Sequence, residues 1–204
     1  MSMIHLHEHD APTKSETDHF VELGLRIDSY GKPINPAQAH VLGTYGLRLG
    51  KGSFYHWGPN HTVDPVVVGE ENGIAKVLTI VRGDNGHLAL PGGFIDQGEH
   101  PLDAAIREAY EETRIDISGD PHEIVYEGGV NDPRDTLHAW AHTTAILFQH
   151  DNCPPVTAGD DARPGSAMWR SLAELADYEL HGAHFMIIAK AMQRYDELVK
   201  RTTR

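Results

Sequence analysis

Two rhythms of apolar and polar positions alternate along this chain. Residues 75–81 (AKVLTIV) are a nearly unbroken β-branched apolar run, the pattern of a buried strand. Gly83-Asp84-Asn85-Gly86 then supplies a turn, 87–90 a second short strand, and Pro91-Gly92-Gly93 ends it. The rhythm changes at Pro101. Leu102, Ala105, Ile106, Ala109 and Thr113 recur at helical spacing, and Pro101 suits a first helical turn where its missing N–H costs nothing. A helix over 101–113 is therefore predicted. HEIVYEGGV (122–130), HAWAHTTAILFQHD (138–151) and SAMWRSL (166–172) read as further strands. Residues 183–201 read as an amphipathic helix, with Phe185, Ile188, Met192, Tyr195 and Val199 on its apolar stripe. Upstream, residues 40–69 mix turn glycines with apolar runs and suggest short strands and loops. Residues 1–20 are polar and carry His5, His7, His9 and His19, which reads as a loosely ordered tail. Strands on both sides of one strong central helix predict an α/β fold with a mixed sheet sandwiched by helices.

Composition narrows the function without locating it. The 204 residues suffice for one domain plus an extension, and they carry 30 acidic against 17 basic side chains, a net charge of −13. That balance argues against nucleic acid, whose phosphates draw on clustered Lys and Arg. It leaves open an anionic small ligand bridged to the protein by cations. A single cysteine, Cys153, excludes an internal disulfide and suits a reducing compartment. Neither a secretory leader nor a membrane-spanning run is evident, so the expectation is a cytoplasmic protein without a membrane partner.

The chemistry is concentrated in the central helix. Glu108, Glu111 and Glu112 (REAYEETRI, 107–115) fall together, away from the apolar stripe. Exposed carboxylates three and four apart repel by a few tenths of a kcal/mol, about what a solvated acidic face tolerates. A second feature argues for more. The glycine turn of 91–99 (PGGFIDQGE) brings backbone carbonyls and Glu99 back towards the same helix. Clustered carboxylates with a carbonyl are the hard oxygen donors that Mg²⁺ prefers, and a divalent ion would turn the repulsion into coordination.

These residues resemble a known family. Gly93, five residues, Glu99, seven residues, then Arg107-Glu108-Ala109-Tyr110-Glu111-Glu112 is similar to the signature of the Nudix hydrolases, G-x5-E-x7-R-E-U-x-E-E-x-G-U with U a bulky aliphatic. Two positions depart. Ala109 is smaller than the usual aliphatic, and Arg114 stands where the family has the glycine by which the chain leaves the helix. Beyond the box, Trp57-Gly58-Pro59-Asn60-His61 with Asp64-Pro65, Asp132-Pro133-Arg134-Asp135 with Ala139-Trp140, and 158–162 (AGDDA) resemble the mitochondrial-type ADP-ribose pyrophosphatases. The same branch includes the ADP-ribose-sensing domain of a melastatin-type TRP channel.

The resemblance implies a Nudix α/β/α sandwich over 63–204, preceded by a β-rich extension over 1–62. It implies Mg²⁺, with Mn²⁺ as a substitute, and hydrolysis of ADP-ribose to AMP and ribose 5-phosphate. Glu108, Glu111, Glu112 and the Gly92 carbonyl are the implied metal ligands, and Arg107 orients a glutamate. Glu99 either completes the metal shell through water or fastens the loop. The general base stays open among Glu111, Asp160 and Asp161, with Glu111, Glu112 and Asp160 taken as the catalytic set. Asp132, Arg134, Asp135 and Asp161 are implied to contact substrate. Trp57–His61 reads as a structural corner and Trp140 as core. Two rival functions remain: a Nudix enzyme for another dinucleotide or nucleoside diphosphate sugar, and a non-catalytic ADP-ribose sensor.

Overall fold

The computed structural model describes residues 11–159 and 162–202. Its strands are β1 (Gly58–Glu71), β2 (Ile74–Val81), β3 (Leu88–Ala89), β4 (Gly93–Phe94), β5 (His122–Gly129), β6 (Ala139–Gln149) and β7 (Met168–Ser171). Its helices are α1 (Lys14–Glu22), α2 (Gln38–Tyr45), α3 (Pro101–Thr113), α4 (Leu172–Leu175) and α5 (His184–Thr202). The chain packs as two compact units. The described residues of Met1–Asn60 and Gly129–His142 form one, and those of His61–Gly128 and Thr143–Arg204 the other.

One seven-stranded sheet runs in the order β3-β2-β1-β6-β5, with β4 added to β1 and β7 to β2. Its register explains the unbroken apolar runs. Val66, Val68, Val77, Leu88, Leu90, Ala145 and Leu147 pack with Leu175, Ile187, Ile188, Ala191 and Met192 of α4 and α5. Their neighbours Val63, Val67, Leu78, Ile146 and Phe148 pack instead with Ala104, Ala105 and Ala109 of α3. Successive side chains of a strand point to opposite faces, so a sheet covered by a helix on each side needs apolar residues at every position. This is the α/β/α sandwich expected for a mixed sheet between helices. Each fully buried aliphatic side chain contributes about 1.5–3 kcal/mol.

Helix α3 occupies the predicted span, with Pro101 at its first position and His100 Nδ1 accepting from the Leu102 N–H at 3.3 Å. Short residues on its buried face let the helix lie close on the sheet; Ala109 is wholly buried. Helix α5 differs in detail from its predicted stripe. Ile187, Ile188, Ala191 and Met192 are buried, whereas Phe185 and Val199 are exposed. The apolar stripe is displaced because α5 lies on the sheet through Ile187 and Ala191, positions the spacing argument passed over.

Within the other unit the extension departs from the β-rich expectation. Its described residues before β1 hold α1, α2 and one isolated bridge between Ile27 and Pro33. Helix α1 is set by a capping box in which Thr13 and Glu16 exchange bonds, so residues 14–20 are helical where a loose tail was expected. His5, His7 and His9 lie outside the described residues. Segment 129–142 holds this unit together: Asn35 Nδ2 donates to the Thr136 carbonyl at 2.9 Å, and the Leu137 N–H donates to the Arg48 carbonyl at 2.9 Å. Trp57 and Trp140 are both buried, and the ammonium groups of Lys32 and Lys51 stand over the Trp57 ring. Among the described residues no helix is long and apolar enough to cross a membrane.

Candidate active site

The site grows from the junction of β3, β4 and α3. Strand β4 pairs with β1 through Val63–Gly93 and Thr62–Phe94, which fixes the glycine turn against the sheet. At Gly92 the backbone takes φ +153°, a region that side chains rarely adopt, and an added Cβ would strike the Val63 carbonyl. At Gly93 an added Cβ would overlap the Glu108 carboxylate. Gly92 is thus required by close approach, which lets the turn lie on β1, and Gly93 leaves the space that a carboxylate of α3 occupies.

Arg107 joins the elements. Its Nε donates to Glu99 Oε1 at 2.8 Å, and Nη2 to Glu99 Oε2 at 2.9 Å and to the Phe94 carbonyl at 3.1 Å. Its Nη1 donates to Glu108 Oε1 at 2.7 Å and to Glu111 Oε2 at 3.1 Å. A planar guanidinium presents five N–H donors in a fixed fork, and here all three nitrogens are engaged. The Glu99 carboxylate holds the guanidinium proton well above its usual range, and Arg107 in turn holds Glu99 below the usual carboxylate range. Glu108 moves the other way: burial raises its carboxyl although Arg107 opposes the shift. Glu99 also accepts from the Asp96 N–H at 2.9 Å, so it fastens the loop to the helix.

Glu112 is buried, and its Oε2 accepts from the Gly92 N–H at 3.0 Å. Glu111 is the most open of the three helix carboxylates, its side chain 43% exposed. The helix end is covered by the segment leading to Gly159. The Thr157 N–H donates to the Thr113 carbonyl at 3.0 Å, and the Gly159 N–H to the Glu112 carbonyl at 2.8 Å. Arg114 takes up the exit position in a left-handed conformation, φ 60° and ψ 22°. The glycine's geometry is therefore kept without the glycine.

The structure thus brings together Gly92, Glu99, Arg107, Glu108, Glu111 and Glu112. Asp160 and Asp161 lie outside the described residues. Asp132, Arg134 and Asp135 belong to the other unit and engage one another. Arg134 Nε donates to Asp132 Oδ1 at 2.8 Å and Nη2 to Asp132 Oδ2 at 2.7 Å. Asp135 Oδ1 accepts from the Ala141 N–H at 3.0 Å, and burial pushes its carboxyl up to about 7.

The donor set suits a hard divalent cation: three carboxylates within five residues of one helix, with the glycine turn tied to them through the Gly92 N–H. Among the described residues no three acidic, histidine or cysteine side chains already form a metal cage. Arg107 instead spans the carboxylates and supplies the compensating positive charge. Missed by sequence reasoning was the layer beneath the turn, where His184 accepts from the Leu90 amide and lies beside Asp64, itself bonded by Thr143; their separations along the chain give no local signal.

The model of the NUDIX domain matches residues 59–191. The chain belongs to the Nudix family. It is 33% identical over 173 residues to the putative nudix hydrolase 6 of Caenorhabditis elegans, covering 78% of this chain and 63% of that protein. It is 29% identical over 227 aligned positions to the mitochondrial ADP-ribose pyrophosphatase of Rattus norvegicus, covering 91% and 62%. The chain therefore spans about three-fifths of the length of these two relatives. It is also 35% identical over 146 residues to the rat transient receptor potential channel subfamily M member 2, covering 63% of this chain and 9% of the channel. Among solved structures, a MutT/nudix family protein from Enterococcus faecalis matches with a TM-score of 0.57 at 26% identity, covering 91% of this chain and 75% of that one. The family expected from the box is thereby shown, and the resemblance of the flanking motifs is matched by similarity to the mitochondrial ADP-ribose pyrophosphatase and the TRP channel. Nudix hydrolases generally use divalent metals such as Mg²⁺ or Mn²⁺.

Proposed function

We propose that this chain hydrolyses the pyrophosphate of ADP-ribose to AMP and ribose 5-phosphate in the presence of Mg²⁺. The observation that carries the reading is the complete acidic face of α3, with Glu112 tied to the Gly92 turn and Glu108 packed on Gly93. The 29% identity to a relative named as an ADP-ribose pyrophosphatase supports the choice of substrate.

Glu108, Glu112 and the Gly92 carbonyl would hold the cation, with Glu111 as a further ligand. A bound divalent ion would offset diphosphate charge and lower the pKa of a coordinated water towards neutrality. Everything else falls to the protein. Arg107 aims Glu108 and Glu111, and Glu99 locks Arg107 in place, so the carboxylates stand ready where charge develops during attack by water on phosphorus. Glu111, the most exposed of the three, is the acceptor in the box for the proton of the attacking water; Asp160 is the rival base outside it. Arg134 is the proposed contact for the diphosphate or the terminal ribose, and Asp132, Asp135 and Asp161 are further candidates for substrate contact.

One observation favours a second reading, namely the 35% identity to a region of the TRP channel. A sensor would bind ADP-ribose and release nothing. The deciding experiment is a panel of ADP-ribose, dinucleotides and nucleoside diphosphate sugars incubated with Mg²⁺ and scored by product identity. AMP and ribose 5-phosphate from ADP-ribose, formed faster than products of any other compound, are expected. Tight calorimetric binding of ADP-ribose without AMP would establish the sensor instead.

A further inference from the structure

The glycine turn is held from below as well as from the helix. Leu90, two residues before Gly92, donates its N–H to His184 Nδ1 at 2.9 Å. With Nδ1 accepting, the ring proton of a neutral imidazole sits on Nε2, and Nε2 faces Asp64 Oδ1 at 3.3 Å. Thr143 Oγ1 donates to Asp64 Oδ2 at 2.5 Å, so one carboxylate oxygen is held and the other lies beside the imidazole. Asp64 is buried, the His184 side chain is 13% exposed, and the same Asp64 Oδ1 borders the space beside Gly92 that a Cβ would enter. The backbone around His184 is tied to β3 as well: the Leu88 N–H donates to the Glu179 carbonyl at 3.2 Å and the His181 N–H to the Leu88 carbonyl at 2.8 Å.

This chain of contacts is longer than packing needs. A buried carboxylate is costly unless its oxygens are satisfied, and an apolar pair of similar volume would fill the space beneath the turn more cheaply. What Asp64 and His184 add is direction. A hydrogen bond from Thr143 holds Asp64, Asp64 lies beside the imidazole Nε2, and the imidazole Nδ1 accepts from the Leu90 amide, two residues before Gly92, whose own N–H donates to Glu112. Outer groups that orient a ligand in this way commonly set metal affinity by about 10- to 100-fold.

We propose that His184, oriented by Asp64 and Thr143, is a positioning residue that sets the backbone of 90–92 so that the Gly92 carbonyl serves as a cation ligand. The proposal rests on the reading of Gly92, Glu108 and Glu112 as the cation site and is independent of which diphosphate is cleaved.

The test uses the full chain and Mn²⁺ alone, with binding followed by loss of the free-ion electron paramagnetic resonance signal and no nucleotide present. Three variants separate the two ends of the imidazole. His184→Leu removes both contacts. His184→Gln retains a donor for Asp64 without an acceptor at the Nδ1 position, and His184→Asn places an acceptor at that position. The expected result is a dissociation constant for Mn²⁺ raised about tenfold in His184→Leu and His184→Gln and within about threefold of the parent in His184→Asn. Parent-like binding in both His184→Leu and His184→Gln, or a loss in His184→Asn equal to that in His184→Leu, overturns the proposal. Should the leucine variant fail to fold, the amide pair decides alone, by the same difference or its absence. A parent chain that binds no Mn²⁺ defeats the cation site and this role together, whereas Mn²⁺ binding without turnover of ADP-ribose defeats only the substrate reading.

Discussion

Arg107 and Arg134 are both partly buried arginines surrounded by carboxylates, and they use the same planar fork in opposite ways. Arg134 closes on Asp132, two residues away, through a pair of short bonds within one loop. Arg107 reaches Glu99 eight residues back, the Phe94 carbonyl, and the carboxylates of Glu108 and Glu111 on its own helix. One arrangement braces a turn. The other gathers more negative charge than one guanidinium neutralises, three carboxylates against one cation, with Glu112 close by on the Gly92 amide. Excess charge held in register, beside a glycine that has no room for a side chain, is what supports the proposed cation site over a structural ion pair.

The largest effect that separates the regions comes from the helix carboxylates. Glu108→Gln should lower kcat/KM for ADP-ribose by at least about 100-fold, measured as AMP formed at fixed Mg²⁺. An equal loss in Asp132→Asn would erase the contrast. Next is Arg107→Lys, which keeps the charge and loses the fork. It should cost about 2 kcal/mol of stability in urea unfolding, because Glu99 and Glu108 lose charge-assisted bonds. Added Mg²⁺ should restore more of that loss than it adds to the parent chain. Arg134→Ala should act more narrowly, raising KM for ADP-ribose several-fold with kcat little changed if Arg134 leaves Asp132 to meet the substrate.

Asp135 supplies a contrast in pH. Its folded pKa of about 7 lies above the 3.8 of an ordinary aspartate because burial disfavours its charged form. The folded state therefore binds this proton more tightly than the unfolded chain. Its contribution is fully present below the unfolded pKa and is lost as pH rises through about 7. Glu99 runs the opposite way, since Arg107 depresses its pKa and its contribution is lost as pH falls. Carboxyl carbon chemical shifts across pH 3–9 should show Asp135 titrating near 7 and Glu99 below its ordinary range. The smallest effect belongs to Arg114→Gly. Removing a side chain from a left-handed residue should stabilise the protein by roughly 1 kcal/mol, allowing for the freer unfolded glycine, and leave turnover unchanged.

What the sequence revealed follows how local each determinant is. Helix α3 was legible to its last residue because one apolar stripe, an N-terminal proline and one turn of glycines define it. The two-faced sheet was legible as unbroken β-branched runs. Helix α2 was not: it contains Gly43, buries Val41 as its one described buried residue, and has no side-chain cap, so nothing in the 38–45 stretch outweighs its glycine. The offset at Arg114 was visible while its consequence was not, since a left-handed arginine reproduces the turn. In the site, contacts among Glu99, Arg107, Glu108 and Glu111 lie within thirteen positions and could be inferred from spacing. Those of Asp64 with Thr143 and His184 span 79 and 120 positions and exist only once β1, β6 and α5 have come together.

The most direct measurement is phosphorus NMR of ADP-ribose incubated with Mg²⁺ and either the parent chain or Glu112→Gln. If the acidic face of α3 is a cation site for pyrophosphate hydrolysis, the parent gives equimolar AMP and ribose 5-phosphate, a chelator stops it, and the variant leaves ADP-ribose intact. Unchanged turnover by Glu112→Gln, or a parent chain that binds ADP-ribose and never cleaves it, would contradict that claim.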